Sequence, residues 1–337
     1  MPQIPAVNQS KWESTLAFVS QELGVTKAFL RDFVIPAWVH PADSKEADQV
    51  SAALRDLALV LRVPTDRLTN QTSPLVLDVA ASRCKGTLPE MLSQQKPARI
   101  MAEVLGRHLV GVLDDEAWPR LFSADQLRAL LLNSTEVIDL DALTNLCWDL
   151  NIPVAHLSKA PTHAPHAMAI NVDGRCAIVL IRNQKHQGWH LFDLAHELGH
   201  VMLGHVKPGE AIVDGAGINL DQSEEDEANQ FAFQLLTGSP MGLSLSRVTN
   251  AERLLQICLQ ASPRYCVDPQ WLIVCIGYNW PTTYWGVCVK ALGLGWPDND
   301  APKLVELLLL RQLKKREVGR MRLAMIRTFA VREAKAA

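Results

Sequence analysis

No apolar run in this 337-residue chain approaches the length needed to cross a bilayer, and no positively flanked apolar segment opens it. A helical membrane span is excluded on that basis, and a cytoplasmic protein is expected. Paired cysteine motifs are also missing. The seven cysteines are odd in number and scattered, without a C-x-x-C pair, and Cys147, Cys258, Cys275 and Cys288 lie in apolar runs. This argues against a disulfide framework and for reduced thiols packed as small hydrophobes. Internal repeats are absent. Net charge is small, at −3, but it is unevenly spread: residues 311–337 hold nine Lys/Arg against Glu317 and Glu333, which leaves the first 310 residues at −10. The C-terminus is therefore a distinct basic element. With 48% apolar and 20% charged residues, the chain reads as folded and long enough for two or three modest domains.

What is present centres on residues 189–205, WHLFDLAHELGHVMLGH. His196, Glu197 and His200 form H-E-x-x-H. On a helix, positions i and i+4 share a face, so the two imidazoles can reach one metal ion, with Glu197 beside it. A tetrahedral Zn²⁺ held by two His and one distant carboxylate keeps a fourth position for water and lowers its pKa toward neutrality, and Glu197 is the natural base. Leu191, Phe192, Leu194, Ala195, Leu198, Val201, Met202 and Leu203 supply the apolar body of a buried helix. A core helix with two satisfied histidines would leave an acid between them buried without purpose.

A third ligand is needed downstream. A metzincin would place a His six residues after His200 with a Gly between; here His205 comes one residue early, and on a continuing helix it would point away from the metal face. The better source is residues 223–236, SEEDEANQFAFQLL, where Ala228, Phe231, Ala232, Leu235 and Leu236 mark a helix with an acidic start. Glu225 and Asn229 are one turn apart on it, a ligating acid followed by a residue able to hydrogen-bond a liganding His, as in gluzincins. Glu224 and Glu227 are rivals that also read as solvated helix-start charges.

Together these residues resemble the ImmA/IrrE family of metallopeptidases. DLAHELGHVMLGH matches its zinc helix, and Glu225, Glu227, Ala228, Asn229, Phe231 and Ala232 match its second signature, within a similarity running from about 139 to 240. The resemblance implies His196, His200 and Glu225 as zinc ligands and Glu197 as catalytic base. It further implies an intracellular protease that cuts a helix-turn-helix repressor to release phage, mobile-element, damage-response or antiviral-defence genes. One departure is Leu236–Thr237–Gly238–Ser239–Pro240 where the family has Leu-Met-Pro, which touches the loop after the helix and not the ligands.

The expected fold is α+β and predominantly helical: a zincin-like core at 96–245 with a small β-sheet, flanked by helical regions at 1–95 and 246–337. Helices are predicted at 10–36, 45–62, 97–112, 123–133 and 139–150, and strands at Met168–Val172 and Cys176–Arg182 joined by an Asp173–Gly174 turn. LRDLALVLRVPTDRL resembles the second and third helices of a repressor-type helix-turn-helix, and a plain helical packing module accounts for it equally well. The polar segment 83–96 is a candidate inhibitory element. Cys84 lies between Arg83 and Lys85, which favours its thiolate, so it is a candidate inhibitory zinc ligand as well as an ordinary surface thiol. His163 and His166 lack further ligands in their loop and read as solvated. The strand 176–182 is read either as a sheet edge that receives the substrate backbone or as an interior strand.

All three tyrosines and Trp271, Trp280, Trp285 and Trp296 fall within 265–296, just before the basic tail. Aromatics beside cations suit single-stranded DNA. A small aromatic core followed by an amphipathic helix, with Leu313, Val318, Met321, Leu323, Ile326 and Phe329 inward, explains them as well. His190, His205, Tyr265 and Tyr284 are all conceivable oxyanion donors. The leading expectation is a zinc endopeptidase acting on a repressor encoded nearby, with single-stranded DNA as a candidate activator. The alternatives are a non-catalytic zinc-containing regulator that binds DNA or a partner, and an autonomous toxin or general peptidase.

Overall fold

The computed structural model describes residues 11–332 except 44–45, 62, 74–82, 85–88, 114–120, 162–163, 208–210, 214–221 and 242–246, with backbone only at 83–84, 89–94, 211–213 and 222. It is predominantly helical around one small sheet. The N-terminal part holds α1 (Lys11–Leu23), α2 (Lys27–Phe29), α3 (Ala47–Leu61) and α4 (Thr65–Thr69). The expected helix over 10–36 is thus interrupted. Gly24 adopts φ +60, and Thr26 starts a new turn by accepting from Phe29 N, which leads into a π-helical turn at Leu30–Val34. After Pro64, the would-be recognition helix α4 has five residues.

A two-residue strand β1 (Arg83–Cys84) and the long α5 (Pro89–Val110) follow. The polar segment 83–96 is therefore partly helical, since α5 begins eight residues before the predicted start and runs through Pro97. Next come α6 (Ala124–Leu132), opened by a reciprocal Ser123–Gln126 capping box, and α7 (Leu140–Asp149), capped by Asp139. Strands β2 (Val154–His156), β3 (Ala167–Val172) and β4 (Arg175–Leu180) lead to α8 (Gln187–Met202), followed by β5 (Ala211–Val213) and α9 (Gln222–Thr237). The chain continues through α10 (Ala251–Tyr265), α11 (Pro269–Asn279), α12 (Trp285–Gly295), α13 (Ala301–Lys314) and α14 (Arg320–Ala330).

The sheet order is β1-β5-β3-β4-β2. The β3–β4 hairpin turns at Asp173 (φ 50) and Gly174 (φ 90), the two left-handed positions that a two-residue turn requires. β4 pairs antiparallel with β3 and parallel with β2. This overturns the reading of 176–182 as a substrate-receiving edge: both of its edges are taken, because β2 returns alongside it after α7. Every residue of β3 is buried, so both sheet faces are covered, and α5 and α8 pack on β3 and β4. Gly106 brings α5 onto β3, where a Cβ would stand 2.6 Å from Ile170 Cδ1. At the start of α8, Gly188 lies against α11, where a Cβ would meet the Gln270 carbonyl carbon at 2.6 Å.

Two buried histidines fix the approach to α8. His156, at the end of β2, donates from Nε2 to the Arg182 carbonyl at 2.9 Å, and His190, on α8, donates to the Gln184 carbonyl at 2.7 Å. Their rings lie 5.6 Å apart. Burial is the main reason that His156 is pushed down to about 4 and His190 to about 3. Both are neutral in the fold at pH 7.

These contacts generate two expectations. Gly188→Ala should lower stability by about 1–3 kcal/mol in urea unfolding, because the clashing atoms are backbone, whereas Gly106→Ala should cost less, since the Ile170 methyl can turn aside. An equal effect of the two would contradict that distinction. The histidine pair takes up protons more readily unfolded, near pH 6.5, than folded. Its contribution is therefore complete above pH 6.5 and is lost as pH falls toward 3–4. The melting temperature should drop between pH 7 and 5, and His156→Gln/His190→Gln should flatten that slope; an unchanged slope counts against it.

Candidate metal centre

Helix α8 is buried along nearly its whole length, with His196 2% and Glu197 and His200 0% exposed. An amphipathic surface helix would show an exposed stripe; this one is enclosed by the sheet, α7, α9 and α11. Of the apolar residues assigned to its body, Leu203 alone is exposed, because the helix ends at Met202. Gly199 allows the close crossing with α9: a Cβ there would stand 3.2 Å from the Ala228 carbonyl oxygen and from Phe231 Cβ. The crossing brings Glu225, 1% exposed, over the two histidines.

Among the described residues, His196, His200 and Glu225 form the one buried cluster able to hold a metal ion. The two Nε2 atoms are 3.1 Å apart, and Glu225 places Oε2 3.6 Å from His196 Nε2 and Oε1 3.5 Å from His200 Nε2. Two nitrogens bound tetrahedrally at about 2.0–2.1 Å from one ion would be separated by about 3.3 Å. The spacing and the donor set, two imidazoles and one carboxylate, therefore fit a metal ion. Glu197, next to His196 on α8, is the remaining buried carboxyl on this helix turn.

The far sides of both imidazoles are also engaged. His196 Nδ1 lies 3.1 Å from Asn229 Oδ1, an arrangement in which Nδ1–H donates and Nε2 keeps its lone pair for a metal. His200 Nδ1 lies 3.0 Å from His205 Nδ1, and His205 Nε2 lies 3.2 Å from Glu227 Oε2. With the carboxylate accepting from Nε2–H of His205, His205 Nδ1 accepts from His200, and His200 Nε2 is again left unprotonated. Sequence reasoning missed this relay. It followed His205 along a continuing helix, but Gly204 adopts φ +74, and the His205 N–H closes on the His200 carbonyl at 3.0 Å, folding the side chain back. Glu227, read as a solvated charge, is 57% exposed yet supplies the end of the relay. The Gly at 204 was the signal that could have shown the helix stopping.

Cys84 is on β1, pairing with Val213 of β5, and its side chain is outside the described residues, as is His163. His166 is exposed and accepts from Arg182 at 2.6 Å. Arg182 also pairs with the buried Asp193 of α8 at 2.8 Å and lies over the Trp189 ring. As oxyanion donors, His190 is committed to the Gln184 carbonyl, His205 to His200, and Tyr284 packs on Trp280 and Arg247, while Arg264 lies over the Tyr265 ring. Three of the aromatic residues of 265–296, Trp271, Tyr278 and Trp285, gather on α8. Trp271 stacks on Phe192 at 5.0 Å, Phe192 lies 5.9 Å from the His196 ring, and Trp285 and Tyr278 pack on Trp189.

Residues 150–241, which span β2 to the end of α9 and hold all of these ligands, match the family model of the IrrE N-terminal-like domain, a peptidase family. Neither a characterised protein nor a solved structure matches the chain. Over residues 150–241, which hold the two helices crossing at a buried His-His-Glu cluster, the chain is similar to the IrrE N-terminal-like domain, a peptidase family.

Proposed function

We propose that this protein is a zinc-dependent endopeptidase whose substrate is a helix-turn-helix transcriptional repressor. The observation that carries the catalytic part is the convergence of His196, His200 and Glu225 within 4.8 Å of one another, with Glu197 on the same turn. Catalytic zinc sites use three protein ligands and structural ones four, and among the described residues this cluster numbers three. This favours turnover over a purely structural role. The repressor as substrate rests on the family likeness of the two signature helices.

Zinc, when bound by His196, His200 and Glu225, would supply a polarised carbonyl and a water acidic enough to ionise near neutral pH. The chain does the rest. Asn229 and His205 hold the imidazoles in the tautomer that presents Nε2. Glu197 takes the proton from the attacking water and returns it to the departing amine. Burial of Glu197 and Glu225 keeps their charges strong at short range.

Glu197→Gln should retain one zinc per chain and lose peptide cleavage by about 10²–10⁴-fold, while His196→Ala should lose both metal and cleavage. The check is metal analysis beside incubation with a small helix-turn-helix protein encoded next to it. Cleavage that survives Glu197→Gln would rule out the assigned base, and a zinc-loaded wild type that cuts no such protein would sink the substrate assignment. His205→Ala should weaken zinc binding by about 10–100-fold in competition with a chelator, by freeing the His200 ring. An unchanged zinc affinity would remove the relay from the reading.

A further inference from the structure

Away from the metal centre, α3, α5 and the start of α14 border an open cavity of about 480 Å³ lined by Leu59, His108, Gly319, Arg320, Met321 and Arg322. That volume lies in the range of about 300–1,000 Å³ usual for small-molecule sites. Among the described residues, the lining includes two guanidiniums and no acid. Arg320 is exposed and, among the described residues, has no carboxylate partner. Arg322 is half-buried, and its one hydrogen bond goes to the Gly111 carbonyl. Burial first, and then the charge of Arg175, lower its pKa, so its cation stands in an electropositive setting.

The backbone adds donors of the same sign. Gly319 gives α14 no side-chain cap, and the helical ladder begins with Leu323 N to the Gly319 carbonyl at 3.0 Å. The N–H groups of Arg320, Met321 and Arg322 precede it. Leu59, 53% exposed, and Met321 form an apolar wall, and the buried His108 is held by its Nε2–H on the Val60 carbonyl at 3.1 Å.

We propose that this cavity binds a small organic phosphate, with the phosphate held by Arg320, Arg322 and the first N–H groups of α14, and an apolar or aromatic body against Leu59 and Met321. Two guanidinium forks and several N–H groups offer more donors than one carboxylate can accept, whereas phosphate takes three or more. An anion also offsets the mutual repulsion of the arginines. Because the walls come from the N-terminal, central and C-terminal parts of the chain, occupancy ties these parts together and stabilises the fold by an amount that rises with the logarithm of ligand concentration above the dissociation constant.

Phenyl phosphate, inorganic phosphate and phenol are the probes, titrated by calorimetry into the full chain. Phenyl phosphate should bind at least about tenfold more tightly than either fragment. Arg320→Gln should weaken it by about tenfold or more, and so should the exposed Leu59→Glu, which sets a carboxylate among the cations, with melting temperatures unchanged without ligand. Lys314→Ala/Lys315→Ala, exposed cations outside the cavity, should leave binding as it is. Failure of phenyl phosphate to bind, or an equal loss in the lysine variant, overturns the proposal, the second result indicating a diffuse basic surface.

Discussion

The close crossing of α8 and α9 is the constraint on which the rest depends. A carboxylate 1% exposed is tolerable only opposite a cation, and the crossing puts Glu225 3.5–3.6 Å from two imidazole nitrogens. Those nitrogens face each other at 3.1 Å. With their outer N–H groups donating to Asn229 and His205, two lone pairs and an anion point into one small volume. A metal cation resolves all three at once. The crossing is tightest at Gly199, inside the H-E-x-x-H turn, where any side chain would press on the Ala228 carbonyl and on Phe231.

Orientation of the ligands comes from outside the motif. Asn229 is one helical turn beyond Glu225, so α9 contributes both the carboxylate of the candidate metal cluster and the group that orients one of its imidazoles. The other imidazole is held by a residue beyond the end of α8, reached only because Gly204 reverses the chain. Exposed Glu227 then closes the relay to solvent. The cluster end of α8 is thus fixed by hydrogen bonds, and its opposite end by packing of Gly188 on the α11 backbone and of Phe192 on Trp271, together with the Asp193–Arg182 ion pair.

The flanking regions share in this framework. The aromatic stretch of 265–296, which as sequence reads equally as a base-stacking surface or as a core, places Trp271 at 0% and Trp280 at 7% exposure, while Tyr278 remains 45% exposed. Ile326 and Phe329 of α14 are buried as their spacing predicts, whereas Met321 lines the cavity beside α3 and α5. Among the described residues, no helix is long and apolar enough to cross a membrane.

What the sequence determined by itself was local and periodic. The i, i+4 histidines, the acidic start of α9, the Asp173–Gly174 turn and the caps at Ser123 and Asp139 are legible because each depends on residues within one or two turns of the chain. Tertiary structure decided everything that depends on distant segments meeting. β2 returning beside β4 made 176–182 an interior strand, α8 and α9 crossing set the ligand distances, and the fold-back at Gly204 turned His205 toward His200. The cavity between α3, α5 and α14 joins residues more than two hundred positions apart. No pattern in the chain records such encounters, since they are fixed by how buried faces fill space against one another.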